Sequence, residues 1–269
     1  MKFGCCTNIL PRQQGSVGEE YLPILAELGY DYVELPLDVV TGLLTDSQRK
    51  ALRKIVADTL PVYACNNFFI SDIKLCGPDR TPTEVISDYI KRALFNAAAL
   101  GARIAVFGSP WSKACPEGFP KSEAFKQLID TCHIIGEEAS KCGITVAIEP
   151  NNTLETNMIN TYRDVLSLVN AVGHPHIQGM QDYFHLKQEK DTVDDMINGA
   201  DHLVHTHFAR YEGRRYPKSA DEDAYYPVFF KALRDIGYNG GMTIEAYVDD
   251  RDAFRQDAAD TLRFFKEMQ

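Results

Sequence analysis

The sequence lacks several features that would assign it to a common class of protein. Positive charge is scarce, since 28 Lys and Arg residues are outnumbered by 38 Asp and Glu residues, giving a formal net charge of −10. Binding of nucleic acid needs clustered Lys and Arg against the phosphates, so we expect no nucleic-acid partner. No run of about 20 apolar residues is present that could cross a bilayer, so we expect no membrane association either.

Paired cysteine motifs are also missing. The cysteines are odd in number and scattered, and no C-x-x-C motif occurs: Cys5, Cys6, Cys65, Cys76, Cys115, Cys132 and Cys142. Scattered thiols in apolar runs are typical of proteins in a reducing compartment. The apolar run near the N-terminus is too short for a signal peptide. We therefore predict a cytoplasmic protein.

Glycine-rich phosphate loops are absent, because neither G-x-G-x-x-G nor G-x-x-x-x-G-K-[ST] occurs. An open doubly wound sheet that binds a nucleotide normally carries such a loop after an early strand. No linker rich in Gly, Ser or Pro divides the chain. What the sequence contains instead is about eight alternations of a strand-like run and a helical pattern, roughly 30 residues each. This repetition predicts an α/β protein, a (β/α)8 TIM barrel, with residues 1–269 as one domain.

The last four predicted strands each end on a side chain that can bind a metal. The predicted strands are residues 2–7, 32–35, 62–66, 103–108, 144–149, 177–182, 203–208 and 242–246. The last four carry Glu149, Asp182, His207 and Glu245 at their last or next-to-last position. Strand ends of a barrel converge at one face, where three carboxylates would repel one another without a cation. Oxygen-rich ligation with one histidine suits a divalent ion. We predict one such ion, Mn²⁺ first, with Co²⁺, Mg²⁺ and Zn²⁺ as other candidates.

Two further histidines lie close to this set in sequence. His205 has the same strand parity as His207 and is expected one layer lower, as a hydrogen-bonded core residue. His185 follows Asp182 by three residues, on the loop that leaves the sixth strand. We expect His185 to face a bound substrate as a hydrogen-bond donor.

The second half of the chain resembles a known family. The segments EPNNTLETN, QDYFH, HTHF, RRYP and GGMTIEAY look like the xylose isomerase-like TIM barrels, and most like the ketose 3-epimerases that act on D-tagatose and D-psicose. The resemblance implies that the four strand-end residues hold the metal, that the enzyme is a homodimer or tetramer, and that the sugar contacts Glu155, His185 and Arg214. The loop after His207 leaves Arg214 and Arg215 as alternatives.

The first half resembles the epimerases less well. The third strand ends at Asn66, and the segment GSPWSK after the fourth strand contains Trp111. Both residues are expected to contact the far end of the substrate. The particular sugar is therefore left open.

The predicted catalytic pair is Glu149 and Glu245. Epimerisation next to a carbonyl needs a base on each face of the sugar and a cation that stabilises the enediolate oxygens. These two carboxylates come from the fifth and eighth strands and can flank a small sugar. We therefore predict a metal-dependent sugar isomerase or epimerase, specifically a ketose 3-epimerase.

Several alternatives use the same groups. They are an inosose-type dehydratase, a hydroxypyruvate or aldose–ketose isomerase, and a barrel that binds sugar without catalysis. An enzyme like the AP endonucleases of this fold is disfavoured, because the third and fourth strand ends, CNNF and FGSP, carry no histidine.

Overall fold

The barrel closes in chain order. The computed structural model describes residues 1–13 and 15–269, in which eight parallel strands pair sequentially and β8 pairs back onto β1. The strands are β1 Lys2–Cys6, β2 Tyr32–Pro36, β3 Val62–Asn66, β4 Ile104–Phe107, β5 Thr145–Ile148, β6 Ile177–Asp182, β7 Leu203–Phe208 and β8 Gly241–Ile244. The predicted (β/α)8 barrel is confirmed, with strand limits that differ by no more than two residues.

Helices cover the outside of the barrel and bury their apolar faces against it. In the described residues the α-helices are α1 Leu22–Leu28, α2 Leu37–Gly42, α3 Asp46–Asp58, α4 Thr83–Ala99, α5 Pro110–Lys113, α6 Lys121–Cys142, α7 Tyr162–Val172, α8 Tyr183–Gln188, α9 Asp194–Asn198, α10 Tyr226–Asp235 and α11 Phe254–Met268. Local sequence fixes several ends. Thr161 and Asp164 form a capping box at the start of α7, and Gly173 ends that helix with a left-handed φ of 61°.

Three short helices were not predicted. Helices α2, α5 and α8 follow β2, β4 and β6 almost directly and have four to six residues each. Segments this short cannot display a helical apolar period. They lie at the carboxyl ends of the strands, the face on which TIM-barrel sites are built.

The two sides of the barrel interior differ in polarity. On one side Ala64, Ile104, Val106, Ala147 and Met180 form a small apolar cluster from strands β3 to β6. On the other side, strands β2, β7 and β8 contribute fully buried polar side chains: Tyr32, Glu34, His205, His207 and Thr243. Barrel interiors are usually filled by branched apolar residues, so the buried polar side marks the functional part of the barrel.

The described helices do not include a membrane-spanning candidate, since none of them is both long and apolar enough.

Candidate active site

Four buried groups converge at the carboxyl ends of the last four strands. Each of Glu149, Asp182, His207 and Glu245 offers one ligand atom, and all four atoms lie within 4.8 Å of one another. Strand register explains the convergence, because Asp182 of β6 pairs directly with His207 of β7. Glu149 and Glu245 follow the last residues of β5 and β8.

The donor set fits a divalent cation. It supplies carboxylate oxygens and one imidazole nitrogen, the ligands that suit such an ion. Asp182 Oδ1 accepts a hydrogen bond from the N–H of Phe184 at 2.6 Å, whereas its buried Oδ2 has no hydrogen-bond partner in the structure. A buried polar atom without a partner is costly, and a cation bound among these residues would remove that cost.

His207 turns one ring nitrogen toward Glu149 and Glu245 and the other toward Glu34. Its Nδ1 lies 3.1 Å from Glu149 Oε1 and 3.3 Å from Glu245 Oε2. Its Nε2 lies 2.9 Å from Glu34 Oε1. A carboxylate on one ring nitrogen fixes the tautomer and leaves the other nitrogen free to bind metal. Nδ1 is therefore the nitrogen available to an ion.

The contacts of Glu34 with the histidines of the site were not predicted from the sequence. Its Oε2 accepts a hydrogen bond from Thr243 Oγ1 at 2.7 Å and lies 2.9 Å from His205 Nε2. Burial alone would raise the pKa of Glu34, but His207 and His205 outweigh it and hold that pKa at about 2. His205 is a buried, hydrogen-bonded residue below His207, as expected. A single Glu inside the apolar strand YVELP was the available indication.

The charged groups shift one another's pKa values in opposite directions. Burial raises the pKa of Asp182. Burial acts the same way on Glu245, but Arg214 and His207 outweigh it and hold the pKa of Glu245 well below its usual range. Burial alone would lower the pKa of His207, yet Glu34 outweighs it and raises that pKa well above its usual value. The raised pKa values of Asp182 and His207 mean that protons compete with a cation for these ligand atoms.

Arg214 enters the site and Arg215 does not. Arg214 Nη2 lies 2.6 Å from Glu245 Oε2 and 3.5 Å from Asp182 Oδ2. Arg215 instead pairs with Asp249 at 2.8 Å, with 37% of its side chain exposed. Of the two alternatives left open by the loop length, Arg214 is the one that reaches the carboxylate cluster.

His185 presents a hydrogen-bond donor to the site. Its Nδ1 accepts the backbone N–H of Asn152 at 3.2 Å, so the ring proton lies on Nε2. Burial, with Arg214 adding to it, lowers the pKa of His185 well below its usual value, which keeps the imidazole neutral. His185 Nε2 lies 3.6 Å from Asp182 Oδ2 and 3.9 Å from Glu155 Oε2. Burial raises the pKa of Glu155, with Arg214 opposing it.

Asn66 lies at the end of β3, as predicted, but its side chain does not line the cavity. Its side chain is 1% exposed and donates to Glu245 Oε1 at 3.2 Å and to Cys6 Sγ at 3.3 Å. It lies behind Glu245 and outside the cavity lining, so direct contact with substrate is not supported. Trp111 does line the cavity, and it is 70% exposed.

Two more contacts of the site were not predicted. Asn8 donates a hydrogen bond to Glu245 Oε1. Lys113 is buried and donates from Nζ to the backbone carbonyl of Glu149 at 2.7 Å. Burial lowers the pKa of Lys113 to about 8, although Glu149 and Glu155 oppose that shift. Neither contact was identifiable from sequence, because Asn8 reaches the Glu245 carboxylate and Lys113 reaches the Glu149 backbone carbonyl only once the strands have paired.

One cavity of about 450 Å³ opens over the cluster. Its lining in the described residues has four carboxylates and a single cationic side chain: Asp38, Glu149, Glu155, Glu245 and Arg214. A net negative lining repels an anionic ligand and suits a neutral polyhydroxylated one, held with a cation. Hydroxyl groups match the acceptor-rich lining.

The fold and the site together define a (β/α)8 barrel with a buried carboxylate–histidine centre at its carboxyl face. The chain belongs to the xylose isomerase-like TIM barrel family, whose model matches residues 22–268. It is 24% identical over 250 residues to the D-psicose 3-epimerase of Agrobacterium fabrum, covering 92% of this chain and 86% of that protein.

Two further similarities bear on the same point. The 3-dehydro-D-guloside 4-epimerase of Escherichia coli is 26% identical over 254 residues, covering 87% of this chain and 90% of that protein. The crystal structure of D-psicose 3-epimerase with D-tagatose from Clostridium cellulolyticum H10 has a TM-score of 0.86 at 20% identity, covering 100% of this chain and 99% of that one. The two named relatives agree with the prediction of a sugar epimerase.

Proposed function

We propose that this chain is a divalent-metal-dependent ketose 3-epimerase. The observation that carries the proposal is the buried set Glu149, Asp182, His207 and Glu245, with ligand atoms within 4.8 Å of one another, at the base of a polar cavity. The family and the epimerase relatives support the same activity. A sugar is the proposed substrate.

The four residues of the set would hold the metal. A bound divalent ion supplies a Lewis acid that polarises the substrate carbonyl and stabilises negative charge on its oxygen. Mn²⁺ is the ion we propose first, because the donors are mostly carboxylate oxygens with one imidazole.

Glu149 and Glu245 are the proposed catalytic pair. They reach the site from β5 and β8, with β6 and β7 between them in the barrel, so the two carboxylates approach a bound sugar from different directions. One carboxylate removes the proton at C3, and the C–H electron pair becomes part of the C2–C3 double bond of an enediolate. The other carboxyl group returns a proton to the opposite face of C3. Arg214, beside Glu245, favours its ionised form, so Glu245 is ready to act as a base.

The remaining side chains position the sugar. We propose that the Nε2–H of His185 donates to a sugar oxygen, and that Glu155 and Arg214 contact hydroxyls beside it. Their placement around the cavity supports these roles. Trp111 contacts the distal part of the substrate at the rim.

We also propose a single barrel domain, a cytoplasmic location and a homodimer or homotetramer. Free thiols at all seven cysteines support a reducing compartment. The oligomer rests on the family resemblance alone.

A second candidate is 4-epimerisation of a 3-keto glycoside. The Escherichia coli relative, named as a 3-dehydro-D-guloside 4-epimerase, favours it. The proton transfer is of the same kind. C4 of a 3-keto glycoside is adjacent to its C3 carbonyl, as C3 of a ketose is adjacent to its C2 carbonyl.

The test is product analysis with the Mn²⁺-loaded protein. D-Fructose, D-tagatose, D-psicose, an inosose and a 3-keto glucoside are incubated separately and the products are separated by chromatography. We expect conversion of at least one ketose to its C3 epimer, lost with EDTA and restored by Mn²⁺. Production of an aldose, loss of water from an inosose, or epimerisation of 3-keto glycosides alone would contradict the ketose 3-epimerase.

A further inference from the structure

The cavity extends well past the metal-capable cluster. It continues to residues that follow β2, β3 and β4, namely Asp38, Asn67, Ser71, Ser109 and Trp111. In the closed barrel these three strands are neighbours and lie apart from β6 to β8, which supply most of the cluster. One continuous space of about 450 Å³ therefore joins two separate groups of side chains. Pockets of roughly 300–1,000 Å³ take drug-sized ligands, and a free ketose is smaller than such a ligand.

Exposed aromatic surface is concentrated at the mouth of this cavity. Trp111 is 70% exposed and Tyr247 is 45% exposed, and both line the cavity. Large aromatic side chains usually bury most of their surface, and their exposure next to a polar cavity marks a binding surface. Aromatic faces pack against the C–H faces of sugar rings.

Asp38 supplies an acceptor in the same region. Its Oδ1 accepts the backbone N–H of Val39 at 2.8 Å, which leaves most lone-pair positions of the carboxylate available to a ligand. Burial raises the pKa of Asp38 to about 6, so donors from a bound ligand would stabilise its charged form. A carboxylate can accept hydrogen bonds from two adjacent sugar hydroxyls.

The backbone around these groups is held in an uncommon conformation. Asn67 and Ser109 have left-handed φ values of 51° and 38°. The carbonyl of Asn67 accepts the N–H of Asp38 at 2.9 Å, and Ser109 Oγ accepts the N–H of Phe69 at 2.9 Å. Non-glycine residues with such φ values cluster at functional sites, where surrounding contacts maintain them. The wall formed after β2 to β4 is therefore preorganised.

We infer that Asp38 and Trp111 form a subsite for a second sugar ring, so that the preferred substrate is a ketose disaccharide whose ketose lies over the metal cluster. This inference rests on the proposed function and names its substrate class. The second ring packs on the indole of Trp111, and its hydroxyls donate to Asp38. A terminal phosphate is disfavoured in the same place, because Asp38 lines the cavity there whereas Arg12, the cation near Asp38, does not line it.

The first experiment measures binding through the intrinsic fluorescence of the protein. Trp111 is the only tryptophan in the chain, so a change in its emission reports contact at the subsite directly. The Mn²⁺-loaded protein is titrated with isomaltulose, a ketose that carries a glucosyl group at its distal end, and with D-fructose. We expect isomaltulose to change the emission and to bind at least tenfold more tightly. Unchanged emission at saturating isomaltulose would overturn the subsite.

The second experiment measures selectivity. The ratio of kcat/KM for isomaltulose to kcat/KM for D-fructose is obtained from deuterium exchange at C3 in D₂O. We expect Trp111→Ala and Asp38→Asn each to lower this ratio about tenfold, mainly through KM for isomaltulose. Phe95→Ala, an exposed aromatic on α4 outside the cavity, and Asp58→Asn at the end of α3 are the matched controls and should leave the ratio unchanged.

The outcomes separate this inference from the proposed function. Deuterium exchange with D-fructose and none with isomaltulose would overturn the inference of a disaccharide substrate. The proposed epimerase activity would still hold. A preference for D-fructose 6-phosphate over isomaltulose would overturn the inference of a disaccharide substrate as well. The proposed epimerase activity would be contradicted if none of the sugars exchanged. Tight isomaltulose binding that weakens in Asp38→Asn would, in that case, still support the subsite.

Discussion

Glu34 fixes the tautomer and the orientation in which His207 would bind a metal. The carboxylate accepts from Nε2 of His207 at 2.9 Å and contacts Nε2 of His205 at the same distance. Its charge is therefore shared between two imidazoles at the bottom of the site. A fixed tautomer aims Nδ1 of His207 at the space between the carboxylates, and partners of this kind usually matter nearly as much as the ligands themselves.

Glu34→Gln should therefore weaken metal binding without removing a ligand. We expect a loss of about 10–100-fold in Mn²⁺ affinity, the range typical of such partners. Isothermal titration calorimetry well below the unfolding temperature measures it, and circular dichroism checks the fold. Glu27→Gln, an exposed pair partner of Arg255, is the matched control. An unchanged Mn²⁺ affinity in Glu34→Gln would mean that His207 needs no orienting carboxylate.

At the level of elements, the end of β4 and the helix after it shape the end of β5. Gly108 follows β4, and a Cβ built there would lie 2.1 Å from Glu149 Oε2. Lys113 of α5 holds the backbone carbonyl of Glu149. These two neighbouring segments therefore restrict the positions that the backbone and the carboxylate of Glu149 can take.

Gly108→Ala should displace the carboxylate of Glu149 and leave the barrel intact. We expect at least a tenfold loss of Mn²⁺ affinity with little change in Tm, because the clashing atom is the mobile end of a side chain. Gly4→Ala is the contrast, since its Cβ would lie 2.1 Å from the ring of Tyr32 in the packed interior. That variant should lower Tm clearly. A Gly108→Ala protein with full metal affinity would contradict the proposed position of Glu149.

The elements also explain which parts of the site could be predicted. Glu149, Asp182, His207 and Glu245 were accessible from sequence, because each follows an apolar run at the carboxyl end of a predicted strand. Glu34 could not be assigned, because its partners lie on β7 and β8 and meet it only after the barrel closes.

Two further outcomes have the same kind of cause. The short helices α2, α5 and α8 carry no usable period, so the walls of the site were not predictable from the pattern. Asn66 was placed correctly at the end of β3, but its side chain turns behind Glu245, and no sequence pattern determines that choice.

At the scale of the whole molecule, the site concentrates negative charge in a buried place. Three carboxylates of the cluster are at most 6% exposed, and Arg214 compensates them only in part. A cation should therefore stabilise the fold as well as enable the chemistry. Binding to the folded state alone adds about 2.7 kcal/mol to the free energy of unfolding at a metal concentration one hundred times the Kd.

Mn²⁺ should accordingly raise Tm by about 5–10 °C relative to EDTA, since 1 kcal/mol corresponds to about 2–4 °C in a chain of this size. The rise should be larger at pH 8 than at pH 6. The raised pKa of His207 means that binding displaces a proton, and displacement becomes harder as pH falls. Differential scanning fluorimetry measures both, and Asp182→Asn should largely lose the effect. A shift that grows toward low pH would contradict this assignment.

Proton transfer at C3 of a ketose between Glu149 and Glu245 would introduce solvent hydrogen at that carbon, so the position of a solvent label tests the proposed reaction. The Mn²⁺-loaded protein is incubated in D₂O with the ketose that it converts, and NMR locates the deuterium. We expect label at C3 in substrate and epimer, with the rate of exchange lowered by about 10²–10⁴-fold or more in Glu245→Gln. Label confined to C1, or no label with any ketose, would contradict it.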